Sequence, residues 1–173
     1  DWAEEFDSMS TIEALADVFR HLGHTPRLLG NGREFLEKIL VEPPEFVFNF
    51  AEGVGTSRTR EARIPAVCEL LDIPYTGSDP LALSLALEKD LTRRLAIDAG
   101  VAVPNGITLV RPELPYDGND AEFAPMLSEA GLVYPVIAKP VFEGSSKGIR
   151  NRCLIRNEQE LGPIIRELWS NYQ

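Results

Sequence analysis

The feature that most constrains this chain is the order of its local patterns. In the first half, amphipathic stretches alternate with short apolar runs: "SMSTIEALADVFRHLGH", "TPRLL", "GREFLEKILVE", "EFVFNF", "EARIPAVCELLD", "IPYTG". Ile12, Leu15, Ala16, Phe19 and Leu22 recur at helical spacing on one face. Ser10 with Glu13 reads as a capping box for that helix, and Gly23 as its stop. Pro43-Pro44 ends the second helix, and Pro65 falls near the first turn of the third, where proline is tolerated. Such alternation predicts a parallel sheet covered by helices. The aromatic-rich run Phe46–Phe50 suits an interior strand of that sheet. A doubly wound sheet usually opens on a strand, whereas this chain opens on "DWAEEFD" and a helix, so a first strand is expected to be absent.

After Gly77 the pattern changes. "DPLALSLALEKDLTRRLAIDAG" reads as one or two helices, with Asp79 as N-cap and Pro80 at the first helical position. "GITLV", "PVIAK" and "NRCLIR" read as strands, "RPELPYDGND" as a loop, and "AEFAPMLSEAG" and "NEQELGPIIRELWSNY" as helices. The last two strands are joined by a glycine loop at 143–148, which suits an antiparallel pair. The expected fold class is α/β. A Rossmann-like parallel-sheet domain over 1–86 precedes an α+β domain with an antiparallel sheet over 87–173.

Charge narrows the partners. Acidic residues outnumber basic ones 27 to 17, for a net charge of −10. Such a surface repels nucleic acid and anionic membrane, so neither is an expected partner. An anionic ligand would need basic residues concentrated locally. No apolar stretch approaches the ~20 residues that span a bilayer, and no signal peptide opens the chain. Cys68 and Cys153 lie far apart and form no metal-ligand spacing; Cys68 reads as a small buried hydrophobe. A cytoplasmic, reducing location is the expectation.

The segment "YPVIAKPVFEGSSKGIR", Tyr134–Arg150, carries the clearest chemistry. A short apolar run ends on Lys139, and the loop Glu143-Gly144-Ser145-Ser146-Lys147-Gly148 follows. Main-chain N–H groups of a glycine-serine turn can converge on phosphate oxygens, and glycine removes the Cβ that would block their approach. Ser145 and Ser146 add hydroxyl donors, and Lys139 one fixed positive charge. The same letters also make an ordinary hairpin turn. Neither a Walker loop nor a dinucleotide fingerprint is present. Lys89, at the start of "KDLTRRL", reads on its own as a solvated helix lysine. In "NFAEGVGTSRTREAR", Glu52, Gly53, Arg58, Arg60 and Arg63 follow an apolar run. Ligands bind beyond the carboxyl ends of strands in open parallel sheets, and arginines there can grip a carboxylate or phosphate. A charged loop leading into a helix fits the same residues. His21, His24, Trp2 and Trp169 read as structural.

Together these residues resemble the D-alanine–D-alanine ligase group of ATP-grasp enzymes. The similarity is carried by "IPYTGSDPLALSLALEKDLTRRLAIDAGVAVP" and "YPVIAKPVFEGSSKGI", and runs from about Phe46 to Ile149. The resemblance implies a pre-ATP-grasp domain followed by the first part of the ATP-grasp domain. It implies that Lys89 and Lys139 reach ATP phosphates and that the loop of Glu143, Gly144, Ser145, Ser146 and Gly148 closes over them. It gives Ser145 a catalytic part in holding the closed state. The implied reaction is ATP-dependent ligation of a carboxylate to an amine through an acyl phosphate, yielding a peptide bond, as in peptidoglycan precursor synthesis. Mg²⁺ is implied as a cofactor, with its ligands and the adenine-binding hinge expected after Gln173. Implied partners are ATP and a small amino-acid or peptide substrate, and a homodimer is among the assemblies it allows. Where the bacterial ligases usually carry H-G, this sequence reads Glu52-Gly53, with Arg58 and Arg63 following. These four are candidate substrate residues and point to a relative acting on another amino acid or peptide. A nucleotide-binding module without catalysis is the rival reading.

Overall fold

The computed structural model describes residues 7–111 and 120–172. The chain divides into two compact units, Asp1–Ser84 and Leu85–Gln173. Both are mixed, predominantly helical, and each has its own core.

In the first unit α1 spans Met9–His21, α2 Gly32–Val41 and α3 Arg63–Leu70. The cap of α1 is Ser8, whose hydroxyl accepts from Thr11 N at 3.2 Å; the expected cap, Ser10, lies inside the helix, its hydroxyl 2.7 Å from that of Ser8. Gly23 does stop the helix. With φ +88°, it lets its own N–H reach Arg20 O and His24 N–H reach Phe19 O, both at 3.0 Å, so two final carbonyls are satisfied. Asn31 caps α2, and Pro65 sits in the first turn of α3. Phe35 and Ile39 of α2 pack with Ile64 and Cys68 of α3, and Val47 and Ile73 close this core. Cys68 is buried, as its apolar setting implied, and forms no disulfide among the described residues.

Among the described residues the expected parallel sheet is reduced to one bridge, Val47 with Tyr75. The pairing runs through Val47 N to Pro74 O at 2.9 Å and Thr76 N to Val47 O at 3.0 Å. Pro74 has no N–H to donate, and Gly77, at φ +95°, turns the chain away, so the ladder cannot lengthen. One further bond comes from a side chain, Asn49 N to Thr76 Oγ1 at 2.8 Å. Phe46–Phe50 is therefore an extended segment and not the interior strand its apolar run suggested. Val47 is buried, but Phe46, Phe48 and Phe50 remain 52%, 45% and 39% exposed. Only one face of the segment is covered by α2 and α3. The other meets Phe19 of α1, edge-on to Phe48 at 5.0 Å. "TPRLL" and "GITLV" are likewise extended without strand pairing.

α4, Pro80–Leu87, begins as expected: Asp79 Oδ1 accepts from Ala82 N at 2.7 Å, and Pro80 takes the first position. In the second unit α5 spans Lys89–Asp98, α6 Phe123–Glu129 and α7 Glu158–Asn171. Strands β1, Val136–Ile137, and β2, Leu154–Ile155, pair antiparallel, Val136 opposite Ile155, as expected for the runs flanking the glycine loop. Ala138 N extends this ladder to Cys153 O at 3.0 Å. The core joins Phe123 and Leu127 of α6, Ile155 of β2, and Leu161 and Ile165 of α7. Trp169 packs edge-on to Phe123 at 5.7 Å and donates its indole N–H to Leu109 O at 3.2 Å. That bond fixes the "GITLV" segment to α7 in place of a sheet neighbour. The expected loop "RPELPYDGND" falls mostly on 112–119, and Trp2 on 1–6; both lie outside the described residues. Among the described residues no helix is long and apolar enough to cross a membrane.

Candidate functional site

The loop of the second unit is built on the end of the β1–β2 ladder. β1 leads to Lys139, which is exposed, and then to Pro140, which is buried. The chain next meets the start of α5, where Lys89 N donates to Val141 O at 3.2 Å. Glu88, itself buried, caps that helix: its carboxylate accepts from Asp90 N and Leu91 N at 3.2 and 2.9 Å. The cap fixes where Lys89 begins the helix. Its ammonium group donates to the main-chain carbonyl of Glu143. A helix lysine 54 residues away in sequence is thus seated on the loop.

The loop is a run of tight turns. Lys147 N bonds Gly144 O at 2.8 Å and Ile149 N bonds Ser146 O at 3.0 Å. Ser145 and Ser146 adopt φ +43° and +62°. The left-handed region costs a residue with a Cβ roughly 1–2 kcal/mol, and such conformations persist where surrounding contacts impose them. Gly148, at φ +76°, is buried: a Cβ there would lie 2.7 Å from both Pro140 Cγ and Tyr172 Cζ. Cys153 holds the loop's far end, its thiol contacting Gly148 O and Arg150 N at 3.4 Å. Within the loop Lys147 Nζ lies 3.0 Å from the Glu143 carboxylate. Lys147 was not singled out by the sequence reading, although it stands four residues after Glu143 in the same turn. Glu88 was missed as well; an acidic residue directly before a charged helical start was the available signal.

The structure thus brings Lys89, Glu143 and Lys147 together and leaves Lys139, Ser145 and Ser146 exposed. Donor chemistry here suits phosphate: ammonium groups, hydroxyls and turn amides, with no Cβ at Gly144. Among the described residues no group of three or more His, Cys, Asp or Glu could hold a metal ion.

The arginine segment lies in the first unit. Gly53 is buried at φ +78° against the main chain of Arg60, and Arg60 is fully buried. Arg58 and Arg63 are exposed, and Arg63 donates to Val54 O at 2.8 Å. Glu52 is half-buried. The arginine that the segment turns inward is therefore neither of the two favoured candidates.

Helices with a small antiparallel sheet that carries a lysine-bordered loop are compatible with part of an ATP-grasp protein. No protein-family model matches the chain. Individual proteins do. It is 32% identical to a D-alanine–D-alanine ligase of Aquifex aeolicus over 83% of this chain and 44% of that protein. It is 30% identical to one of Rhizobium meliloti over 91% and 46%, and 29% identical to one of Moorella thermoacetica over 91% and 48%. The chain spans about half the length of these relatives. The resemblance read from the sequence is borne out, and the chain belongs with the D-alanine–D-alanine ligase family.

Proposed function

We propose that the protein acts as an ATP-dependent carboxylate–amine ligase of the D-alanine–D-alanine ligase type, and that Lys89, Lys139 and the Glu143–Gly148 loop hold the nucleotide's phosphates. The observation that carries this is the hydrogen bond from Lys89 to Glu143 O, which seats a remote lysine on the glycine-serine loop. ATP in such a reaction supplies a phosphoryl group to the first substrate's carboxylate, and the second substrate's amine then displaces phosphate to form the amide. The chain's own residues position and neutralise: lysines offset phosphate charge, and loop amides and hydroxyls fix orientation. Ser145 stabilises the closed loop. Arg58 and Arg63, with Glu52 and Gly53, serve the amino-acid substrate, whose carboxylate an exposed guanidinium can grip in bidentate fashion. The two units correspond in this reading to a Rossmann-like pre-ATP-grasp domain over 1–86 and an ATP-grasp subdomain over 87–173. Mg²⁺ accompanies the nucleotide, and the setting is cytoplasmic.

The test is ATP titration with phosphate release on full-length protein. Lys139→Ala should weaken ATP binding and turnover together. Ser145→Ala should lower turnover more than affinity, because it acts on closure. If Lys139→Ala binds and turns over like wild type, the loop is a hairpin and nothing more.

A further inference from the structure

Glu143 engages two lysines at once. Its main-chain carbonyl accepts from Lys89 Nζ, and its carboxylate lies 3.0 Å from Lys147 Nζ. Both partners of that ion pair are withdrawn from water, with 13% of the Lys147 side chain and 9% of the Glu143 side chain exposed. An exposed pair separates at little cost. A desolvated one must keep its partner or find another of the same charge. The turns at Gly144–Lys147 and Ser146–Ile149, with Ser145 and Ser146 left-handed, are what fold residue 147 back onto residue 143. To an ammonium group a carboxylate oxygen and a phosphate oxygen are equivalent acceptors.

We propose that Glu143 is an internal competitor for the lysines of this site, and that Lys147 is a further phosphate-binding lysine that Glu143 holds until a polyphosphate displaces it. The proposal rests on the phosphate reading of the loop given above. It assigns Lys147 a binding role and Glu143 a positioning role. Without ligand, the Glu143 carboxylate neutralises Lys147 and keeps the loop in its present turns. When a polyphosphate arrives, Lys147 exchanges one anion for another. The Glu143 carboxylate moves to water, because beside a polyphosphate it would be repelled.

The two partners of one ion pair should then respond to mutation with opposite sign. Glu143→Gln keeps the shape and the main-chain carbonyl but removes the competing charge. It should lower Kd for the probe about tenfold, the factor expected when a binding-competent state populated about one time in ten becomes the dominant one. Lys147→Met should raise Kd, and Lys147→Arg should restore it. A pair that only braces the loop would shift both variants in the same direction. The experiment is calorimetric titration of full-length protein with ATP and, separately, with inorganic tripolyphosphate, on wild type, these three variants and Lys139→Ala. Thermal melts without ligand check that each is folded, and Lys147→Arg serves where Lys147→Met does not fold. Tripolyphosphate should reproduce the opposite signs, since the argument concerns phosphate alone. If Glu143→Gln binds no tighter, or Lys147→Met binds at least as tightly as wild type, the proposal is overturned while the phosphate reading stands. If wild type binds neither probe, or Lys139→Ala is without effect, both fall.

Discussion

At Gly53 a single missing Cβ sets the geometry of the arginine segment. The residue sits at φ +78°, and a Cβ would lie 2.4 Å from Arg60 O and 2.8 Å from Arg60 Cβ. Main chain meets main chain there, so no rotamer change can relieve the clash. Gly55 offers a control in the same loop: its φ is +92°, but nothing lies within 4 Å of the Cβ position. Gly55→Ala should therefore cost only the left-handed backbone, roughly 1–2 kcal/mol. Gly53→Ala should add overpacking of about 1–3 kcal/mol on top of that. Urea unfolding of both variants checks the difference, and equal losses would mean that the loop relaxes around Arg60. The same contact explains why the sequence could not say which arginine turns inward. Arg58, Arg60 and Arg63 are alike in type and neighbourhood. The distinction arises from a glycine that lets Arg60's backbone come close, leaving Arg58 and Arg63 at the surface. Lys147 escaped notice for a related reason: its pairing with Glu143 depends on two serines with positive φ, which no residue preference announces.

Among the elements, helices followed from the sequence far better than strands did. Helix signals are local. Asp79 and Pro80 start α4, Asn157 caps α7 by accepting from Glu160 N at 3.2 Å, and Gly23 stops α1, all within a few residues of the positions they specify. Even so, α1 starts two residues before the position its capping-box pattern indicates, because Ser8 and Ser10 both offer a hydroxyl. The geometry separates them. Ser8 accepts from a main-chain N–H, whereas the Ser10 hydroxyl meets that of Ser8. Ser8→Ala should cost about 1 kcal/mol, as a lost N-cap does, while Ser10→Ala should cost a few tenths at most. Chemical denaturation of the two variants distinguishes them, and a larger loss at Ser10 would return the cap to that residue. Strands depend on partners elsewhere in the chain. Phe46–Phe50 has the composition of an interior strand, but Pro74 and Gly77 limit its partner to one bridge. β1 and β2 did pair antiparallel as read, because the glycine loop between them is itself a local signal.

For the whole molecule the telling fact is that each core is drawn from one unit. Phe35, Ile39, Ile64 and Cys68 share the first core, whereas Phe123, Ile155, Leu161 and Ile165 share the second. Ile39 and Ile155 are both fully buried, so truncating either leaves a comparable cavity. Each change to alanine should cost roughly 2–5 kcal/mol. The cost should fall on different parts of the chain, because local stability follows the cooperative unit to which a residue belongs. Amide hydrogen exchange makes this visible. Ile39→Ala should speed exchange in α2 and α3 and leave α7 as it is, while Ile155→Ala should do the reverse. The candidate phosphate site gives the pattern a functional reading. Lys89, Lys139, Glu143 and Lys147 all lie in the second unit, and β2, which carries Ile155, closes the ladder that supports the loop. Near its unfolding temperature, Ile155→Ala should therefore lose polyphosphate affinity before Ile39→Ala does. A uniform loss of protection along the chain from either variant would instead show that the two cores unfold as one, and affinity would then fall in parallel for both.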